Sequence, residues 1–252
     1  MGPNSRPITH NSQRSSGDNP LVAQIPSLLL FARTPARGKV KTRLVPPLSE
    51  PEALDLYRAF LEDAAASYAS PGCWRSVLDA EPDPDEATLA ALFPHPWSRH
   101  KQAAGDLGER LTAAFEREFA LGAPAALAVG SDHPALERRQ IEEAFGRLSG
   151  GSDAVVIPAD DGGYCAIGLA ARVCARDVFS EIPWSSPRVL SATRERFAAR
   201  GIDAAILDAA YDVDRPEDLE RLRRDLAGRN PAGRDYPRAT ARVLRELGNA
   251  AE

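Results

Sequence analysis

The stretch Ala125-Ala-Leu-Ala-Val-Gly-Ser-Asp-His-Pro134 constrains the fold more than any other part of the chain. Residues 125–129 are uncharged on both faces, the pattern of a parallel strand covered above and below by helices. Gly130 and Ser131 break the run, and Asp132 stands at its carboxyl end. Pro134 fits the first turn of a following helix, where its missing N–H is not needed. In an open α/β sheet, ligands bind beyond the carboxyl ends of the strands. A carboxylate there has two uses. It can hold a divalent cation against phosphates, since hard cations take oxygen ligands, or it can cap the helix by accepting backbone N–H groups. From this stretch alone the two readings of Asp132 are balanced.

Other apolar runs repeat the architecture. Leu28-Leu-Leu-Phe-Ala32 reads as the first central strand, with further strands expected at 74–78, 153–159, 164–169 and 203–208. Amphipathic helices are expected at 49–68, 86–93, 187–199 and 238–247, the first opened by a Ser49–Glu52 capping box. A chain of 252 residues suffices for one substantial α/β domain. Its formal charge of −5 gives no global attraction to nucleic acid or anionic membrane. No apolar run approaches the roughly 20 residues of a membrane helix. Three cysteines without metal-ligand spacing (Cys73, Cys165, Cys174) point to a reducing, cytoplasmic setting. Residues 1–26, poor in large apolar side chains, are expected to be a disordered leader. Residues 27–227 are then the folded domain, and 228–252 a linker and terminal helix packed on it.

The polar segments after these strands carry the chemistry. Arg33-Thr-Pro-Ala-Arg-Gly-Lys-Val-Lys-Thr-Arg43 places many cations directly after a strand. Read as an extended segment, it presents Lys39, Lys41 and Arg43 to one side, where they can bind a di- or triphosphate; a solvated basic loop is the alternative. The glycine spacing is not that of a Walker loop. Gln102-Ala-Ala-Gly-Asp106 precedes an amphipathic helix; Gly105 permits close approach to a ligand, but taken alone a glycine turn capped by Asp106 is the better reading. Asp160-Asp-Gly-Gly-Tyr164 puts two mutually repelling carboxylates in one turn, which favours a site over a plain Asp-Gly hairpin. Trp184 reads as a pocket wall or a packing anchor. Asp212 and Asp214, two apart in an extended segment, face the same way at another strand end.

Together, Phe31 to Leu44, Gln102 to Leu111, Gly130 to Pro134, Pro158 to Tyr164, Ile182 to Ser185 and Asp212 to Leu219 resemble, in order, the blocks of a bacterial glycosyltransferase-like family, of the radical-SAM/selenodomain-associated transferase type, in the nucleotide-diphospho-sugar transferase superfamily. The resemblance implies a GT-A fold: a Rossmann-like three-layer α/β architecture around a mainly parallel sheet. It implies Mg²⁺ or Mn²⁺ held by Asp132 and Asp214, with nucleotide contacts from Arg33, Gly38, Lys41, Arg43, Gln102, Gly105 and Asp106. The acceptor side then comprises Gly162, Gly163, Tyr164, Trp184 and Ser185, with Asp161 the expected base and Asp160 its alternative. The chain departs from the family pattern at His133, where a smaller residue is commoner, and at Arg215, where Thr is usual.

The expected partners are a nucleotide sugar or an NTP together with a small acceptor. The first reaction is metal-dependent glycosyl transfer from a nucleotide-activated sugar. The alternative is nucleotidyl transfer from an NTP to a small phosphorylated substrate, because Lys41-Thr-Arg-Leu44 also resembles the opening loop of phospholactate guanylyltransferases. A non-catalytic nucleotide-binding module is a third reading, and both acidic clusters speak against it.

Overall fold

The computed structural model describes residues 25–70, 72–81 and 86–249. The leader expected over residues 1–26 lies outside them except for Ile25 and Pro26, as does most of the turn expected at 81–85.

The described residues form a seven-stranded sheet with helices on both faces. In chain order the elements are β1 (Ser27–Ala32), α1 (Glu50–Tyr68), β2 (Arg75–Ala80), α2 (Glu86–Leu92), β3 (Ser98–Lys101), α3 (Leu107–Ala120), β4 (Ala125–Gly130) and α4 (Arg138–Ser149). They continue with β5 (Ala154–Pro158), β6 (Tyr164–Ala170), α5 (Ala175–Phe179), α6 (Val189–Arg200), β7 (Ala204–Ile206), α7 (Pro216–Ala227) and α8 (Arg238–Asn249). The strand order is β3-β2-β1-β4-β6-β5-β7. Only β6 runs against its neighbours, pairing antiparallel with both β4 and β5, so the sheet is mainly parallel as expected.

Side chains alternate across β1 because successive Cβ atoms point to opposite faces. Leu28 and Leu30 enter a core with Leu56 and Phe60 of α1, Ile141 of α4, Leu222 of α7 and Leu244 of α8. Leu29 enters the opposite core, with Phe115 of α3, Phe179 of α5 and Phe197 of α6. Burial on both sides explains why the central runs lack the apolar–polar alternation of a half-exposed strand.

The elements depart from expectation in three places. β3 gave no apolar signal, because it is a short edge strand of Ser, Arg, His and Lys. α5, a helix of five residues, is too short to give a periodic signal and has no counterpart among the expected elements. Residues 39–43 are not extended: Lys41 has φ 49° and leads into a 3-10 turn over Thr42–Leu44. That conformation turns Lys41 inward and leaves Lys39 and Arg43 exposed.

Buried charge ties the first strands to α3. Arg117 donates through both terminal nitrogens to Asp79 at 2.9 and 2.8 Å, and through Nε to Glu118 at 2.9 Å. Glu118 also accepts from Ser27 at 2.8 Å and pairs with Arg75 at 3.1 Å. At the other end of the chain, Asp63 of α1 caps α8, accepting the N–H groups of Ala239 and Thr240 at 2.9 and 2.8 Å. Among the described residues, no helix is long and apolar enough to cross a membrane.

Candidate active site

The carboxyl ends of β1 and β4 lie side by side, with Phe31 opposite Gly130 in parallel register. The loops that leave them therefore meet, and the segment after β7 joins them through a bond from Val213 N–H to the Asp132 carbonyl at 3.0 Å. Here the Lys41 ammonium sits 2.6 Å from Asp132 Oδ1 and 2.9 Å from Asp214 Oδ1. Arg43 reaches the other oxygen of Asp214 at 3.4 Å. A cleft of about 260 Å³ opens in front, lined also by Arg33, Lys39, Thr42 and Tyr57.

Lys41 is buried to 3% side-chain exposure, with Nζ 5.6 Å from the centre of the Phe60 ring. Burial alone would lower its pKa, but the Asp132 and Asp214 charges outweigh that and hold it above the ordinary lysine value. Burial likewise works to raise the Asp132 carboxyl, and the Lys41 charge and hydrogen bond bring it below the usual carboxylate range. Both groups are thus charged at neutral pH. Behind them Tyr57 Oη lies 3.0 Å from Ser131 Oγ and accepts the Arg33 N–H at 2.9 Å, joining the two strand ends. His133 Nδ1 lies 3.3 Å from the Tyr211 carbonyl. Burial, partly offset by the Asp132 charge, pushes its imidazole below the ordinary value.

The Gln102 block sits at the ends of β1, β2 and β3. Gln102 donates to the Ala32 and Asp79 carbonyls at 3.3 and 2.8 Å and accepts from Arg110 at 3.3 Å, so its amide braces three strands and one arginine. Arg110 also donates to Glu81 at 3.3 Å, and Glu81 lies 3.8 Å from Arg33. Asp106 caps α3 in a reciprocal capping box with Glu109. Gly105 has φ 103°, and a side chain there would strike Glu109. Gly38, at φ 68°, turns the loop beside Glu50 and does not line the cleft.

The residues expected on the acceptor side make separate local contacts and do not line the cleft in front of Lys41. Gly162, at φ 88°, packs against Pro187, and its carbonyl accepts the Leu190 N–H at 2.9 Å. Tyr164 meets Trp184 edge to face at 6.3 Å, and half-buried Trp184 lies so close to Gly108 that a Cβ there would come within 2.7 Å of Nε1. Of the two readings of Trp184, these contacts fit the packing anchor. Ser185 is exposed with φ 60°. Asp161 Oδ1 accepts the Gly163 N–H at 2.8 Å. Asp160 is paired at 2.5 Å with Arg221 of α7, whose guanidinium lies 3.8 Å over the Tyr211 ring. Burial and the nearby Asp214 and Asp161 charges lift the Asp212 carboxyl above the usual range, so turn 160–163 and segment 212–214 share one acidic field. Among the described residues, no group of three or more His, Cys, Asp or Glu is placed to hold a metal unaided.

Four contributors escaped sequence reasoning. Glu81 and Arg110 follow β2 and open α3, positions that strand-end reading flags once β3 is recognised. Tyr57 read as a core position, and Arg221 as part of a solvated helix face.

Comparison with known proteins bears on the fold. A family model described as an uncharacterized protein conserved in bacteria (DUF2064) matches residues 64–186. A crystal structure from Desulfovibrio desulfuricans, provisionally designated a nucleotide-diphospho-sugar transferase, superposes with a TM-score of 0.77 at 29% identity, over 87% of this chain and 97% of that one. Over most of its length the chain is similar to that protein and shares the nucleotide-diphospho-sugar transferase fold. More distant structures share the fold alone. A cytidylyltransferase from Leptospira borgpetersenii matches at 11% identity and a TM-score of 0.56, over 89% of this chain and 96% of its own. A 4-diphosphocytidyl-2C-methyl-D-erythritol synthase from Anaerococcus prevotii matches at 11% and 0.53, over 80% and 96%. Curated protein sequences give no match. The likeness to the Desulfovibrio desulfuricans protein supports a transferase of the nucleotide-sugar-related kind.

Proposed function

We propose that this protein is a metal-dependent transferase that takes a nucleotide-activated sugar as donor and a small molecule as acceptor. One observation carries the reading: Lys41, Asp132, Asp214 and Arg43 converge at the carboxyl ends of β1 and β4. Carboxylate oxygens meeting at one point are the donors that Mg²⁺ or Mn²⁺ accepts, with phosphate oxygens and water completing the shell. Both carboxylates already hold a cation between them, the Lys41 ammonium, so the donor set fits. A divalent cation there supplies positive charge for a departing nucleoside diphosphate. Arg43 and Arg33 on the rim bind and orient the phosphates, since charge-assisted hydrogen bonds are short and directional. Glu81 and Arg110, braced by Gln102, face the donor from the β2–β3 side. In this reading the acceptor meets the turn 160–163, and Asp161 is the group that takes its proton.

A second reading, nucleotidyl transfer from an NTP to a phosphorylated substrate, is favoured by the state of the acidic turn. Asp160 is paired with Arg221 and Asp161 is bonded to its own turn, whereas a phosphate nucleophile is already ionised and needs neither as base. Thermal-shift screening of UDP-, GDP-, ADP- and dTDP-sugars against the four NTPs, each with and without Mn²⁺, tests both. A true ligand raises apparent stability by mass action. The class that stabilises only with metal identifies the donor, and a panel without any metal-dependent shift removes the proposal.

A further inference from the structure

Granted the Asp132–Asp214 metal pair proposed above, we infer that Lys41 is a built-in stand-in for the cation: its ammonium occupies the metal position until a metal–nucleotide complex arrives, and then moves to the phosphates. The geometry leaves little room for both charges. A divalent ion binds carboxylate oxygens at about 2.0–2.6 Å, and Lys41 Nζ already lies 2.6 and 2.9 Å from the two oxygens that would hold it. An ammonium and a divalent ion cannot share that point without strong repulsion.

Lys41 is held there by more than charge. Its backbone is in the left-handed region at φ 49°, its side chain is 3% exposed, and Phe60 lies beneath it. A buried ammonium stays charged only with partners, so it leaves the carboxylates only if other anions are offered. The cleft in front is lined by Arg33, Lys39 and Arg43, a surround made for phosphate oxygens. Four carbon–carbon torsions of the lysine stem let Nζ swing without moving the turn. Bare metal therefore meets a filled position, and bare diphosphate gains no metal. Together each supplies what the other displaces, so the two ligands bind cooperatively, and by linkage each strengthens the other equally.

The test is Mn²⁺ binding followed by electron paramagnetic resonance, without turnover, on the full chain. Wild type is compared with Lys41→Met, which keeps the stem and removes the charge, and with Lys41→Gln, which keeps a hydrogen-bond donor and serves if the methionine variant folds poorly. Arg43→Ala removes a charge from the rim and controls for simple electrostatics. With MnCl₂ alone, either Lys41 variant should bind about tenfold or more tightly than wild type, a change of about 1.4 kcal/mol, and Arg43→Ala far less so. Adding ADP, CDP, GDP or UDP should tighten Mn²⁺ binding in wild type and much less in the Lys41 variants. A lysine with only a structural role would leave the gain from diphosphate unchanged on removal, and that result also overturns the stand-in. Asp132-dependent Mn²⁺ binding of equal strength in wild type and both Lys41 variants, or an equal gain in Arg43→Ala, overturns the stand-in and leaves the metal pair intact. No Asp132-dependent binding in any of these proteins, with or without diphosphate, overturns the metal pair and the stand-in with it.

Discussion

Asp132 Oδ1 accepts the Lys41 ammonium at 2.6 Å, joining the loop after β4 to the loop after β1. The aspartate is thus committed to a cation and not to capping α4, whose N-terminus is closed by Glu137 and Gln140. Asp132→Asn keeps the shape and removes the charge. It should abolish Mn²⁺-dependent nucleotide binding while circular dichroism stays unchanged. Calorimetry showing wild-type affinity for a Mn²⁺–nucleotide would rule out the metal role.

Arg43 touches Asp214 at 3.4 Å and its side chain is 70% exposed, so it probes phosphate binding without emptying the buried centre. Arg43→Ala should weaken nucleoside diphosphate binding by about 0.2–1 kcal/mol at low salt, the range for solvent-exposed pairs. The loss should shrink as ionic strength rises. Equal affinities at low salt would make this arginine ordinary surface.

Much of this was legible because burial on both faces of the sheet writes itself into the chain. The runs at β1, β4 and β5, the Ser49–Glu52 capping box and the meeting of polar turns at strand ends all follow from local rules. What was not legible depends on long-range pairing or on one backbone angle. Alternation along residues 39–43 assumed an extended strand, and the left-handed Lys41 cancels it, burying one cation and exposing two. β3 has polar side chains because it is an edge, so no periodicity marks it. Arg221 reads as a solvated helix face until α7 lies beside turn 160–163. Asp106 reads on its own as the cap of a glycine turn, and the capping box with Glu109 is what the fold shows.

The Asp79–Arg117 pair should be structural. Asp79 is 1% exposed and bidentate, and Arg117 is shared with Glu118. Asp79→Asn leaves a half-buried guanidinium with Glu118 as its remaining counter-charge, so the cost should lie at or below the roughly 3–5 kcal/mol of a fully buried pair. Urea denaturation should show that loss with nucleotide affinity of the folded fraction unchanged. A loss under about 1 kcal/mol would mean that solvent compensates the arginine as for a surface pair.

Asp63 makes stability depend on pH in a defined direction. Burial lifts its carboxyl above the usual range despite the N–H groups of Thr240 and Ala239. Its folded pKa therefore exceeds the unfolded value of about 3.9, and the folded state binds the proton more tightly. Stability from this group rises as pH falls through the folded pKa towards about 3.9, and is constant above it. The stability difference between wild type and Asp63→Asn should grow on acidification across that window in urea melts. A difference that shrinks there would mean that the helix cap holds Asp63 ionised.

Asp161→Asn separates the two chemistries. Asp161 Oδ1 accepts the Gly163 N–H at 2.8 Å, and an asparagine oxygen can accept the same bond, so the turn survives the substitution. What is lost is the charge and the ability to take a proton. An acceptor hydroxyl attacking a sugar needs a base within direct reach or through one water, and general-base catalysis is worth about 10²–10⁴-fold. Under glycosyl transfer, kcat should fall by that factor with donor affinity nearly unchanged. Under nucleotidyl transfer the attacking phosphate carries its own charge, so kcat should be close to wild type and any defect should appear as a raised KM for that substrate. Asp160→Asn is the companion variant. It breaks the pair with Arg221 and should act on stability before it acts on turnover. Steady-state kinetics of both variants, with the donor found by the thermal screen, decide between the reactions. Near-wild-type turnover of a nucleotide sugar by Asp161→Asn removes this carboxylate from the mechanism.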